Sequence, residues 1–157
     1  MFNFFKKERI LSSVANGRIT GLSKVPDQVF SQKILGDGFA VIPTGGDFYS
    51  PADGVVTDVT DTLHAYCITT DDGLEILIHI GLDTVELKGQ FFTPLVKKGD
   101  KITRGDAIAH ADLDGIKSKG YNTATVVIVT NTDRLRQFSI NETPTAKAGS
   151  PAMTYKI

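Results

Sequence analysis

Two of the chain's three histidines sit in consecutive apolar runs, His64 in "TLHAYCITT" and His79 in "GLEILIHIG". Imidazole is the side chain whose charge ordinarily changes near neutral pH, and its neutral form offers a nucleophilic nitrogen. Among Leu and Ile, desolvation holds such a ring neutral, and a second ring beside it disfavours charging further. Two imidazoles brought together can attack an electrophile, ligate a metal, or satisfy each other's hydrogen bonds as a purely structural pair.

Whether they meet depends on the turn between the runs, "TTDDGLE". Asp72-Gly73 suits a two-residue type I′ loop, whose central positions need positive φ. With that loop Asp71 faces Leu74, His79 faces Tyr66, and His64 faces Gly81. Opposed residues share a face, as do alternate residues along a strand. Both rings then point to one side as diagonal neighbours, with Cβ atoms roughly 7–8 Å apart. Gly81 leaves room for the rings to lean together, and Tyr66, Ile68 and Leu77 give an apolar surround on the same face. Thr62 falls on this face too, and a backbone carbonyl can fix the tautomer of either ring. A loop one residue longer sends the rings to opposite faces.

Asp83, shortly after His79, can in principle complete a zinc triad. It follows the expected strand end, however, and no H-x-H or H-E-x-x-H accompanies it. No metal site and no cofactor are therefore expected. His110, in "AIAHADLD", reads as structural or exposed.

The elements that position these residues are short. Runs such as "GRITGL", "GFAVIP", "HAYCITT", "LEILIHI", "TVELKG", "DKITRGDAIAHA", "ATVVIVT", "RQFSI" and "MTYKI" alternate with Gly, Asp and Asn turn signals. Helical turns are expected only in "DQVFSQKIL" and "DLDGIKSK". The pattern predicts an all-β fold, a compact antiparallel β-sandwich with short helical turns. "SPADGVVTDV" and "VKKGDKITRGDAIA" are weakly alike, and the second is similar to hairpins of biotinyl and lipoyl carrier domains. No modifiable lysine stands at a tight hairpin tip, so the likeness is read as shared sandwich geometry.

The chain has 157 residues, 41% of them hydrophobic, enough for one domain with a substantial core. Seventeen basic against eighteen acidic side chains give a net charge of −1 and no general reason to bind nucleic acid. The lone cysteine, Cys67, excludes an internal disulfide, suits a reducing cytoplasm, and reads as a small buried hydrophobe. No apolar stretch approaches the ~18–20 residues that span a bilayer. The start, "MFNFFKKERI", lacks a secretory apolar segment. It reads as an arm over residues 1–12 folded onto a domain of residues 13–157, with an interfacial anchor as the other reading. The initiator methionine favours a separate protein.

The chain resembles the glucose-class IIA components of the bacterial sugar phosphotransferase system. The likeness rests on "VPDQVFSQKILGDGFAVIPT", "SPADGVV", "TLHAYCI", "GLEILIHIGLDTVELKGQFF" and "GDKITRGDAI", and runs from about Gly17 to the C-terminus. It implies a phosphoryl carrier on a sandwich of the duplicated hybrid motif type. His79 would accept the phosphoryl group and His64 would stabilise the modified state. Thr62 would orient His64, and the Gly81 carbonyl would hold the other nitrogen of His79. Asp27 and Asp83 would flank the site. Val29, Phe30, Ile34, Leu35, Leu77 and Val85 would help form an apolar depression for partners. Leu63, where well-known members carry a polar residue, is expected to point to the other face. The resemblance implies HPr as donor and the IIB domain of a sugar permease as acceptor. Membrane contact comes through that permease. It also leaves open a regulatory binding protein whose phosphorylation state is sensed by partners such as transporters or kinases.

Overall fold

The computed structural model describes residues 8–157. Among the described residues, fourteen antiparallel strands form three sheets. The largest has eight strands. Its order is β13 (Thr143–Ala146), β2 (Gly17–Gly21), β3 (Asp37–Pro43), β11 (Thr125–Val129), β7 (Glu75–Ile80), β6 (Ala65–Thr70), β5 (Gly54–Val59) and β9 (Lys101–Ile102). A second sheet joins β4 (Asp47–Tyr49), β10 (Ala107–Ala111) and β8 (Phe92–Pro94). The third joins β1 (Arg9–Ser12), β14 (Pro151–Lys156) and β12 (Gln137–Ile140). The expected antiparallel sandwich is the observed one.

Two cores explain the sequence of the central strands. Side chains alternate across a sheet, so a strand buried on both faces reads as an unbroken apolar run. Phe39 and Val41 of β3, Ile76, Ile78 and Ile80 of β7, and Val127 and Val129 of β11 enter the main core with Tyr66 and Phe48. Ala40, Val126 and Ile128 face the other way, where Leu22, Val25, Phe30 and Leu82 cover them; Leu77 and Ile42 pack against this group. Apart from Leu82, which follows β7, the cover is the segment between β2 and β3. It holds a 3-10 turn at Leu22–Lys24 and α1 (Gln28–Ser31). Asp27 caps α1, its carboxylate accepting from the N–H groups of Val29 at 2.9 Å and Phe30 at 3.4 Å. Burying Phe30 contributes roughly 1.5–3 kcal/mol.

The helical turn expected in "DLDGIKSK" is α2 (Leu113–Ser118), capped by Asp112 through the N–H of Gly115. "TVELKG" is not a strand; Thr84–Leu87 is a 3-10 turn, entered and left through left-handed Asp83 and Lys88. Residues 1–7 of the expected N-terminal arm lie outside the described residues, and Arg9–Ser12 form β1, paired with β14. Among the described residues, no helix is long and apolar enough to cross a membrane.

The β6–β7 hairpin differs from its expected register. Ala65, not Tyr66, faces His79, and Cys67 faces Leu77. Its loop has three residues. The Gly73 N–H bonds the Thr70 carbonyl at 3.0 Å, and the Thr70 N–H bonds the Leu74 carbonyl at 2.9 Å. A type I′ loop needs positive φ at both central residues, but here Gly73 alone has it, at +92°. Asp72 is held in place instead. Its carboxylate accepts from Thr70, Tyr155 and Arg9, and its carbonyl accepts from the Arg134 guanidinium. Tyr66 and Ile68 therefore face the main core, away from His79. A cleft of about 580 Å³, bounded by Arg9, Thr70, Asp72, Arg104 and Tyr155, lies at this loop end of the hairpin.

Candidate functional site

The longer loop should separate the histidines, yet they touch. Their ring centroids are 4.7 Å apart, edge to face at 82°. The reason is that His64 stands outside the strand. β6 begins at Ala65, and residues 61–64 loop back from β5, closed by the Thr60 N–H on the Ala65 carbonyl at 3.1 Å. Leu63 has φ of +62°, an uncommon state for a bulky residue, and strand alternation does not reach the residue that follows it. Leu63 itself packs against the main core. The His64 carbonyl still accepts the Ile80 N–H at 2.8 Å, which keeps the loop against β7. The small residue that leaves room for the rings is Ala65, opposite His79, rather than Gly81.

His79 is fixed on three sides. Its Nδ1 lies 2.8 Å from the Gly81 carbonyl oxygen. A carbonyl only accepts, so Nδ1 carries the proton and the neutral ring keeps its lone pair on Nε2. The Phe30 ring meets the imidazole edge-on at 5.1 Å, and Val126 of β11 faces His79 across the ladder. Burial lowers the pKa of His79, against the raising effect of the Gly81 carbonyl and the charges of Asp27 and Asp83. Burial and the neighbouring His79 push His64 down to about 4, against the raising effect of the Thr62 backbone. Both shifts favour the neutral imidazole. The Thr62 hydroxyl lies 2.7 Å from His64 Nδ1, and the Thr60 hydroxyl lies 3.4 Å from the same nitrogen.

Around this pair the sequence-predicted residues divide into two groups. Val29, Ile34, Leu35 and Val85 are exposed, Ile34 by 65% and Val85 by 50%. Asp83 is exposed and left-handed, and its carboxylate caps nothing. Phe30 is buried, 6% exposed, and Leu77 is half-buried against the smaller core. Cys67 is half-buried on the His79 face, and burial together with Asp58 pushes its thiol up. His110 is exposed in the sheet of β4, β10 and β8, with Nδ1 2.8 Å from an Asp47 carboxylate oxygen. Among the described residues, no group of three His, Cys, Asp or Glu side chains is arranged to hold a metal ion.

Sequence reasoning missed Thr60, Ala65 and Thr84, and it named Leu63 without its left-handed backbone. None carries a signal in a single sequence, because each acts through loop geometry or a backbone contact.

Fold and site together define a class: an antiparallel β-sandwich that presents a paired, tautomer-fixed imidazole at its surface. The comparisons give that class its family. The profile of the phosphoenolpyruvate-dependent sugar phosphotransferase system, EIIA 1, matches residues 9–135, and the chain belongs to this family. It is 42% identical over 152 residues to the PTS system glucose-specific EIIA component of Halalkalibacterium halodurans, covering 96% of this chain and 88% of that one. It is 47% identical over 131 residues to the PTS system glucose-specific EIICBA component of Streptococcus pneumoniae, covering 83% of this chain but 18% of that longer protein. The solved structure of glucose permease IIA from Mycoplasma capricolum superposes with a TM-score of 0.90 at 34% identity, over 98% of this chain and 99% of that one.

Proposed function

We propose that this chain carries a phosphoryl group on His79, taking it from the phosphohistidine of HPr and giving it to the IIB domain of a sugar permease. The observation that carries the reading is the hydrogen bond from His79 Nδ1 to the Gly81 carbonyl, which leaves Nε2 as the free nucleophile. The Nε2 lone pair forms the new N–P bond while the donor's N–P bond breaks and its electron pair returns to the donor imidazole. The Nδ1 proton stays on its bond to Gly81. The transition state is loose and roughly in line, so catalysis is largely positioning plus charge stabilisation. His64 donates from Nε2 to the phosphoryl oxygens, with the Thr62 hydroxyl donating to its Nδ1. Family membership and the short distance between the two rings support these roles.

The apolar surround holds the labile N–P bond away from water. Exposed Val29, Ile34, Leu35 and Val85 offer the partner an apolar contact, and the carboxylates of Asp27 and Asp83 meet its basic residues. The deciding experiment is incubation with phosphoenolpyruvate, enzyme I and HPr, followed by mapping of acid-labile phosphate. Label on His79 is the expected result, and label elsewhere or none overturns the reading.

A further inference from the structure

Gly81 supplies the carbonyl that fixes the His79 tautomer, so whatever fixes Gly81 controls the nucleophile. Gly81 has φ of +79°. A Cβ there would meet Thr84 Cγ2 at 2.5 Å and the Asn122 carbonyl oxygen at 3.1 Å. The methyl of Thr84 thus occupies the space that the glycine leaves. Its hydroxyl donates to the Ile80 carbonyl at 2.5 Å, in the peptide directly before Gly81. Thr84 is completely buried. A fully buried threonine hydroxyl needs a partner, and the Ile80 carbonyl supplies it. On the far side, the Leu82 N–H bonds the Asn122 carbonyl at 2.9 Å. The Ile80–Gly81–Leu82 backbone is therefore clamped at both ends, with one carbonyl left to face the ring.

We infer that Thr84 is a positioning residue for His79: its hydroxyl holds the Ile80–Gly81 peptide so that the next carbonyl, that of Gly81, meets Nδ1 and leaves Nε2 unprotonated. The inference rests on the phosphoryl-carrier reading for its effect on rate, but not for its effect on the ring. Thr84 touches neither substrate nor the reacting atoms. It stabilises one peptide orientation, and that orientation selects one tautomer.

The test compares Thr84→Val, which keeps the branched shape and loses the hydroxyl, with Thr84→Ser, which keeps the hydroxyl and loses the methyl. Imidazole ¹⁵N shifts of His79 in the unphosphorylated protein report the tautomer directly. The wild type and Thr84→Ser should show a protonated Nδ1 and a bare Nε2. Thr84→Val should show a mixture of tautomers and accept label from phosphorylated HPr roughly tenfold to a hundredfold more slowly. Unchanged shifts and unchanged transfer in Thr84→Val overturn the inference, as does a Thr84→Ser variant as impaired as Thr84→Val.

One check needs no variant. The wild-type Thr84 hydroxyl proton should exchange with solvent far more slowly than a free threonine's, and free-rate exchange also overturns the proposal. If the ring responds to Thr84→Val while wild-type His79 takes no label, the positioning role stands and the carrier reading fails.

Discussion

His64 and His79 meet edge to face, 4.7 Å between centroids, although one stands on a strand and the other in the loop of a different hairpin. His79 is tied to the Gly81 carbonyl and His64 to the Thr62 hydroxyl. Each ring thus turns Nδ1 toward its own chain.

Substitution should separate the roles of the two rings. His79→Gln removes the nucleophile, so label from phosphorylated HPr should fall to background. His64→Gln should still accept label on His79 but pass it poorly to a IIB domain. Single-turnover labelling followed by chase measures both halves, and undiminished labelling of His79→Gln would falsify the assignment.

Stability should fall in mild acid. The His64 pKa is about 4 in the folded chain against an ordinary 6.5. Between those values the unfolded chain binds the proton and the folded chain does not, so unfolding becomes easier as pH drops. Above 6.5 neither state binds it, and this contribution to the pH dependence vanishes. Denaturant midpoints taken from pH 7.5 to 4.5 should decline, and decline less in His64→Gln. A flat profile would contradict a neutral, desolvated pair.

Loading His79 should reverse the shift on its neighbour. A phosphoryl group brings negative charge beside His64, and a nearby opposite charge favours the protonated imidazole. NMR titration of His64 should show a higher pKa in the phosphorylated protein than in the free one. An unmoved value would mean that the ring does not face the phosphoryl oxygens.

Gly81→Ala should cost roughly 1–3 kcal/mol, the usual range for forcing a side chain into a disallowed backbone state, because φ is +79° and the new methyl meets Thr84. Label acceptance should drop with it. Thermal and chemical denaturation give the first quantity and the labelling assay the second; a variant of wild-type stability would show that the peptide relaxes freely.

Ile34→Asp tests the rim. Ile34 is 65% exposed, so stability should stay within about 0.5 kcal/mol. An unpaired charge in an apolar contact should raise KM for phosphorylated HPr several-fold. An unchanged KM would place the partner elsewhere.

The sequence alone conveyed the fold class, since short apolar runs between turn signals leave little besides an antiparallel sandwich. It also conveyed the pairing of His64 with His79, but for an incorrect reason. Asp72-Gly73 resembles a two-residue loop until Arg9, Arg134 and Tyr155, distant in sequence, claim Asp72 and lengthen the turn. The same shift should have parted the rings, and left-handed Leu63 offsets it. Such compensation is invisible to strand periodicity, because it depends on a single φ angle and a tertiary clasp. Thr84 escaped for a similar reason: in "TVELKG" it reads as one more β-branched strand residue, whereas in space it fills the hollow beside a glycine.

Arg9 bonds Asp72 at the tip of the β6–β7 hairpin, while His79 stands near the opposite end of β7. Five residues of strand, about 17 Å at the usual rise, lie between that tip and the ring. Any polypeptide joined ahead of Glu8 would attach at the heel of the molecule. The imidazole pair thus faces away from that attachment, at the far end of the β6–β7 ladder.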